Sequence, residues 1–180
     1  MLIIRGDVMK DFKPDIYQNS IFDINYDKLY QKGIRCLLFD LDNTLGLYSE
    51  PTCSKEAKDL ITKLKKKFTI VIVTNSGKGR ITPYLEDLGV DGISWAFKPS
   101  CKSLVKIKAK YHLTKKEMII IGDQLMTDIL AGKKFKIMTA FVNPLGKRDL
   151  PVTGLNRFIE NKIINKYSKK GDFERGKYYE

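Results

Sequence analysis

The sequence predicts an α/β fold in which an open parallel sheet is covered by helices on both faces, and three observations lead there. Short, continuous apolar runs recur along the 180 residues, such as Leu37-Leu38-Phe39, Ile70-Val71-Ile72-Val73 and Met118-Ile119-Ile120-Ile121. A strand that is apolar on both sides is buried on both faces, the environment of a parallel sheet. Between the runs lie amphipathic stretches long enough for one helix each, the crossover that parallel pairing requires. Polar and acidic residues fall where the runs stop, and in open sheets of this kind ligands bind at the carboxyl ends of the strands.

In chain order, Asn25 caps a short helix through Lys32, which Gly33 ends. Ile34–Asp40 is the first buried strand. Ser54 caps the next helix, whose Ala57, Leu60, Ile61 and Leu64 recur at helical spacing. Thr69–Thr74 is the second strand, bounded by Asn75-Ser76-Gly77. Residues 78–88 form a helix with Pro83 expected in its first turn or at a kink, because proline has no N–H to donate. Ile93–Phe97 is the third strand, and after Pro99 a helix carries Leu104, Val105, Ile107 and Lys108. Thr114-Lys115-Lys116-Glu117 makes a capping-box turn before the fourth strand, Met118–Gly122. Residues 126–134 form a short helix and Ile137–Val142 the fifth strand. Leu155, Phe158, Ile159, Ile163 and Ile164 suit one face of a last helix, with Arg157, Lys162 and Lys166 on the other. Beyond Tyr167 the chain is charged and contains Gly171 and Gly176, so residues 1–167 are expected as one domain and 168–180 as a flexible tail.

A 43% apolar chain of this length can build one core. Its 33 basic against 21 acidic residues give a net charge of +12 and a pI near 9.5. That balance points to anionic partners: a phospholipid surface, nucleic acid or a phosphorylated substrate. A solvated lysine-rich surface produces the same numbers. No apolar stretch approaches the roughly 18 residues of a membrane span. Met1–Asp7 has no apolar h-region, so no signal peptide is expected. Cys36, Cys53 and Cys101 are odd in number and share no metal spacing, which speaks against a disulfide framework and for a reducing, cytoplasmic compartment. Cys36, inside an apolar run, is expected as a small core residue.

The chemistry concentrates in Asp40-Leu41-Asp42-Asn43-Thr44. Carboxylates two residues apart at a strand end can face one site. Crowded acids repel unless a cation or a shared proton compensates, and a divalent metal with a nucleophilic carboxylate is one chemistry that uses such a pair. The strand-end rule joins Asp40 and Asp42 to Thr74 and Asn75 after the second strand, Lys98 after the third, and Asp123 after the fourth. Gly122 allows close backbone approach, and Asp123 offers a hard oxygen suited to Mg²⁺. Asp128 lies one helical turn beyond. Singly, each residue has a plainer explanation: a helix N-cap for Asp123 or Asp128, a turn hydroxyl for Thr74, a surface lysine before proline for Lys98. Their coincidence at successive strand ends argues for a site. His112, the single histidine, sits at a helix end that favours a cation and is not assigned to it.

Asp40-Leu41-Asp42-Asn43-Thr44, Val73-Thr74-Asn75, Lys98-Pro99 and Gly122-Asp123-x4-Asp128 resemble, in order, the four motifs of the haloacid-dehalogenase (HAD) phosphohydrolases. Phe12-x-Pro14, Ser20-Ile21-Phe22-Asp23-Ile24 followed by Leu29 and Gly33, and Ile121–Asp128 look like the YqeG branch of HAD subfamily IIIA. The resemblance covers about residues 8–165, and Thr74-Asn75-Ser76 departs from the expected Ser-Asn-Asn while keeping a hydroxyl. It implies a HAD-like Rossmannoid sheet in which Asp40 attacks phosphorus and forms an aspartyl-phosphate. Asp42 would serve as acid and then base, its backbone carbonyl joining Asp40 and Asp123 on Mg²⁺. Thr74, Asn75 and Thr44 would face the phosphate, Lys98 would neutralise charge, and Asp128 would orient Lys98 or a water held by the metal.

The intervals 45–68 and 75–98 are each used up by one helix and its loops, which leaves no room for a cap domain. Open sites suit bulky phosphates whose own mass excludes water. Members of the related branch in mitochondria and photosynthetic cells dephosphorylate phosphatidylglycerophosphate, so the resemblance implies a lipid headgroup as substrate. The missing cap, the +12 charge and the amphipathic segment Leu155–Tyr167 with its basic face point to peripheral contact with an anionic membrane at its inner face. Two other readings stay open: a phosphatase for soluble nucleotide, sugar or nucleic-acid-end phosphates, and a basic RNA- or ribosome-associated adaptor on the same scaffold. Intact Asp40, Asp42, Lys98 and Asp123 speak against the adaptor, and no RNA-binding signature is present.

Overall fold

A computed structural model describes residues 12–146, 153–169, 173–174 and 176–179, with backbone alone for 153–157. Six strands, β1 (Ile16–Gln18), β2 (Cys36–Phe39), β3 (Thr69–Val73), β4 (Asp91–Ile93), β5 (Met118–Gly122) and β6 (Met138–Val142), pair in parallel in the order β1-β6-β5-β2-β3-β4. The chain steps from β2 outward to β3 and β4, then returns to place β5 on the other side of β2. This reversal opens a crevice at the carboxyl ends of β2 and β5, where open α/β sheets bind ligands.

Side chains alternate along each strand and supply two cores. Leu37, Phe39, Ile70, Ile72, Ile119 and Ile121 pack against α2 (Lys55–Leu64) and α3 (Lys78–Leu88). Cys36, Leu38, Val71, Val73 and Ile120 pack against α4 (Lys102–Lys110) and α5 (Leu130–Phe135) on the opposite face. Burial of this apolar surface stabilises the sheet by about 25 cal/mol per Å². The expected caps hold: the Asn25 side chain accepts from the Lys28 N–H ahead of α1 (Tyr26–Gln31), and Ser54 accepts from the Ala57 N–H. The Thr114–Glu117 capping box is present. The three cysteines are free thiols, and burial pushes that of Cys36 up to about 12.

Several expectations need adjustment. β1 was not anticipated, since three residues are too few to show a period. β4 stops at Ile93 instead of running to Phe97, because Trp95 and Phe97 adopt φ of +48° and +52°, which no strand accommodates. The segment turns back toward β3, with the Trp95 N–H donating to the Ser76 carbonyl at 3.0 Å and the Ala96 N–H to the Thr74 carbonyl at 2.9 Å. Pro83 sits within α3, beyond its first turn. The helix expected at 126–134 opens with a π-turn, Leu125–Ile129, before α5. The last helix, α6 (Thr153–Ser168), buries Ile163, Ile164 and Tyr167 against Tyr17, Phe141 and Phe173, while Phe158 is exposed. Within the stretch expected as a flexible tail, Phe173 is buried, and Tyr179 exchanges two 2.9 Å backbone hydrogen bonds with Tyr17. The Leu155 and Arg157 side chains and the Met1–Asp7 segment lie outside the described residues. Among those described, no helix is long and apolar enough to cross a membrane.

Candidate active site

The site begins where β2 ends. The Asp40 N–H donates to the Ile121 carbonyl at 2.9 Å, so the last rung between β2 and β5 fixes the backbone that presents the Asp40 carboxylate. Asp123 follows β5 immediately, and its Oδ1 accepts from the Thr44 hydroxyl at 3.0 Å. Asp128 arrives from the π-turn, whose widened ring aims its carboxylate back at the strand end. Gly122 is required there, because a Cβ would come within 2.3 Å of that carboxylate. Carboxylate oxygens of Asp40, Asp123 and Asp128, all buried, lie within 4.8 Å of one another.

Lys98 crosses the crevice to meet them. Its ammonium donates to Asp40 Oδ1 at 2.5 Å, Asp128 Oδ1 at 2.6 Å and the Val73 carbonyl at 2.6 Å, one acceptor for each of its three protons. The backbone behind it is clamped from β3: Asn75 Oδ1 accepts from the Lys98 N–H at 2.7 Å, and Asn75 Nδ2 donates to the Lys98 carbonyl at 3.1 Å. The buried Thr74 hydroxyl accepts from the Ser76 N–H at 3.0 Å.

Asp42 stands apart from this cluster. Its carboxylate accepts from the Ser76 hydroxyl at 2.5 Å and from Arg80 Nε at 2.8 Å, and its side chain is 16% exposed. Arg80 also donates to the Leu47 carbonyl at 2.8 Å and to the Glu50 carbonyl, so it ties α3 to the loop after β2. Sequence reasoning missed Arg80. A usable signal existed: a cation in the first turn of a helix opposes the macrodipole and needs an anionic partner.

Electrostatics follow burial. Desolvation pushes the Asp40 carboxyl up to about 7 against the pull of Lys98, and Asp128 and Asp42 add to the rise. Desolvation likewise raises Asp128, again opposed by Lys98. For Lys98, burial disfavours the charged form, but Asp128 and Asp40 outweigh it and hold the ammonium above the usual lysine range. Lys98 bonds two of the three buried carboxylates, Asp40 and Asp128, and three hard carboxylates within 4.8 Å of one another suit a divalent cation. The donor set fits Mg²⁺.

The comparisons with known proteins identify the family. The family described as "Mitochondrial PGP phosphatase" matches residues 8–143. The protein named "Probable phosphatase YqeG" from Bacillus subtilis (strain 168) is 31% identical over 166 residues, covering 92% of this chain and 96% of that one. Arabidopsis thaliana phosphatidylglycerophosphate phosphatase 1, chloroplastic/mitochondrial, is 24% identical over 178 residues, and the chain spans 51% of its length. Among solved structures, the HAD-hydrolase YfnB of Bacillus subtilis shares the fold at a TM-score of 0.51 and 17% identity, covering 60% of this chain and 88% of that one. An Asp40-centred crevice on a parallel sheet and the match across residues 8–143 lead to one conclusion: this chain belongs to the mitochondrial PGP phosphatase family, in its YqeG branch, and is a HAD-type phosphatase.

Proposed function

We propose that this enzyme hydrolyses a phosphomonoester with magnesium through an aspartyl-phosphate on Asp40, and that its substrate is phosphatidylglycerophosphate, met at the cytoplasmic surface of a membrane. The observation that carries the reading is the buried junction of Lys98 with Asp40 and Asp128, at 2.5 and 2.6 Å, beside Asp123. Asp40 offers a carboxylate oxygen in line to phosphorus. As that O–P bond forms, the ester O–P bond breaks and the alcohol leaves with a proton from Asp42. Asp42 then takes a proton from the water that attacks the aspartyl-phosphate, which releases inorganic phosphate and restores Asp40. Lys98 offsets charge between phosphate and nucleophile, while the Thr74 hydroxyl and the Asn75 N–H receive phosphate oxygens. Thr44 acts one step back, by orienting Asp123.

Asp40, Asp123 and the Asp42 backbone carbonyl would hold the metal, and Asp128, bonded to Lys98 and to the Gln124 N–H, would orient Lys98 or a water on the metal. Once bound, Mg²⁺ supplies positive charge that relieves repulsion among the acids and the phosphate. Support comes from the hard oxygen donors, from the magnesium bound to YfnB, and from the activity named for the Arabidopsis relative. An open site supports the lipid substrate: the span from Asp40 to Ser54 is a loop, and between β3 and β4 stands only α3.

The test is phosphate release from p-nitrophenyl phosphate and from phosphatidylglycerophosphate in mixed micelles, with EDTA and then with excess Mg²⁺. The expected result is loss in EDTA, recovery with Mg²⁺, and faster turnover of the lipid than of nucleotides or sugar phosphates. Full activity in metal-free buffer would exclude the metal role, and preference for a soluble phosphate would exclude the lipid.

A further inference from the structure

The loop that delivers Lys98 also carries the most exposed aromatic pair among the described residues. Trp95 is 59% and Phe97 70% exposed, and their rings stack with centroids 6.3 Å apart and planes 23° from parallel. Both residues have positive φ, a costly conformation for large side chains, which the Trp95 and Ala96 hydrogen bonds to Ser76 and Thr74 hold in place. The pair stands at the rim of the site: Trp95 bonds Ser76, whose hydroxyl bonds Asp42, and Phe97 precedes Lys98. The Trp95 ring lies over Gly77, where a Cβ would meet it at 3.0 Å. Folding gains nothing from exposing these rings.

The chain segments flanking the loop are basic. Residues 74–85 and 92–116 include no acid, and the exposed Lys78 and Lys102 open the helices on either side of the loop. Aromatic residues with lysines at a rim are the composition that seats a protein in the headgroup layer. The face of α6 that carries Ile163, Ile164 and Tyr167 is spent on the core and cannot serve.

We infer that Trp95 and Phe97 are a docking wedge that enters the headgroup region of a bilayer containing anionic phospholipid, with Lys78 and Lys102 against the lipid phosphates. The inference rests on the lipid-phosphate reading above and deepens it: a wedge beside Lys98 sets the crevice at the depth where a phosphate headgroup lies. A single-stranded nucleic acid stacking on the same rings is the competing occupant.

Trp95 is the single tryptophan, so its fluorescence reports on this surface directly. The full chain would be mixed with vesicles of phosphatidylcholine alone, or with phosphatidylglycerol added, at low and high salt. The expected result is a blue shift of Trp95 emission and quenching by brominated acyl chains, on anionic vesicles only and weakened by salt. W95A/F97A should partition roughly tenfold less, yet turn over p-nitrophenyl phosphate as the wild type does. An unshifted spectrum in the presence of anionic vesicles overturns the wedge, whether or not the protein sediments with them. So does a Trp95 response confined to an oligonucleotide. Failure of the wedge while phosphatidylglycerophosphate is still hydrolysed in micelles leaves the substrate reading standing. A wedge that inserts while only soluble phosphates are hydrolysed overturns the substrate reading instead.

Discussion

Asp40 and Asp42 are two residues apart, yet the fold gives them opposite surroundings. Asp40 is buried, bonded to Lys98, close to two further carboxylates and lifted toward neutrality. Asp42 stands at the crevice edge, held by the Ser76 hydroxyl and by an arginine that reaches across from α3. The two carboxylates of one motif therefore differ in surroundings, one desolvated among charges and the other meeting solvent. In the proposed mechanism Lys98 and a bound cation keep Asp40 ionised for attack, and Asp42 moves the protons.

Replacement of each acid should separate the roles. Asp40→Asn is expected to leave the fold intact and to lower turnover by roughly three orders of magnitude or more, with no acid-stable phosphoenzyme after quenching. Asp42→Asn should lose about a hundredfold or more while still trapping phosphoenzyme, since attack by Asp40 survives and hydrolysis of the intermediate does not. A radiolabelled quench of both variants decides this, and phosphoenzyme on Asp40→Asn would refute the assignment.

The two cations offer a second contrast. Lys98→Met leaves buried acids without their ammonium and should cost about 3–5 kcal/mol in denaturant unfolding, part of it recovered with Mg²⁺. Arg80→Gln removes a partly exposed partner, so stability should fall by only about 1 kcal/mol while kcat drops several-fold at nearly constant KM. Equal destabilisation by the two variants would show that burial does not distinguish them.

The smallest effect is a pH dependence. Folding raises the Asp40 carboxyl from the usual 3.8 to about 7, so its contribution to stability is present below about pH 4 and is lost as pH rises through 7. A divalent cation binds the ionised form and offsets that loss. The gain in Tm from Mg²⁺ should therefore be a few degrees larger near pH 8 than near pH 5.5. A gain independent of pH would place the metal away from Asp40.

Much of this arrangement was legible in the chain. Buried runs such as Ile70–Val73 and Ile119–Ile121 announce strands because burial acts on adjacent residues, and the acids at their ends announce the crevice because sheet topology gathers strand ends. The caps at Asn25 and Ser54 are equally local. Other features had no local trace. β4 was cut short by the positive φ of Trp95 and Phe97, a backbone state that favourable β residues conceal. The inward aim of Asp128 depends on a π-turn, which shifts a side chain without changing the apolar pattern. Arg80 reaches Asp42 across 38 residues of chain and was not foreseen, whereas Lys98, 58 residues from Asp40, was gathered to it by the strand-end rule. Which cation answers which acid depends on how loops fold back over the sheet, and a pairing energy between residues so far apart leaves no mark on the neighbours of either.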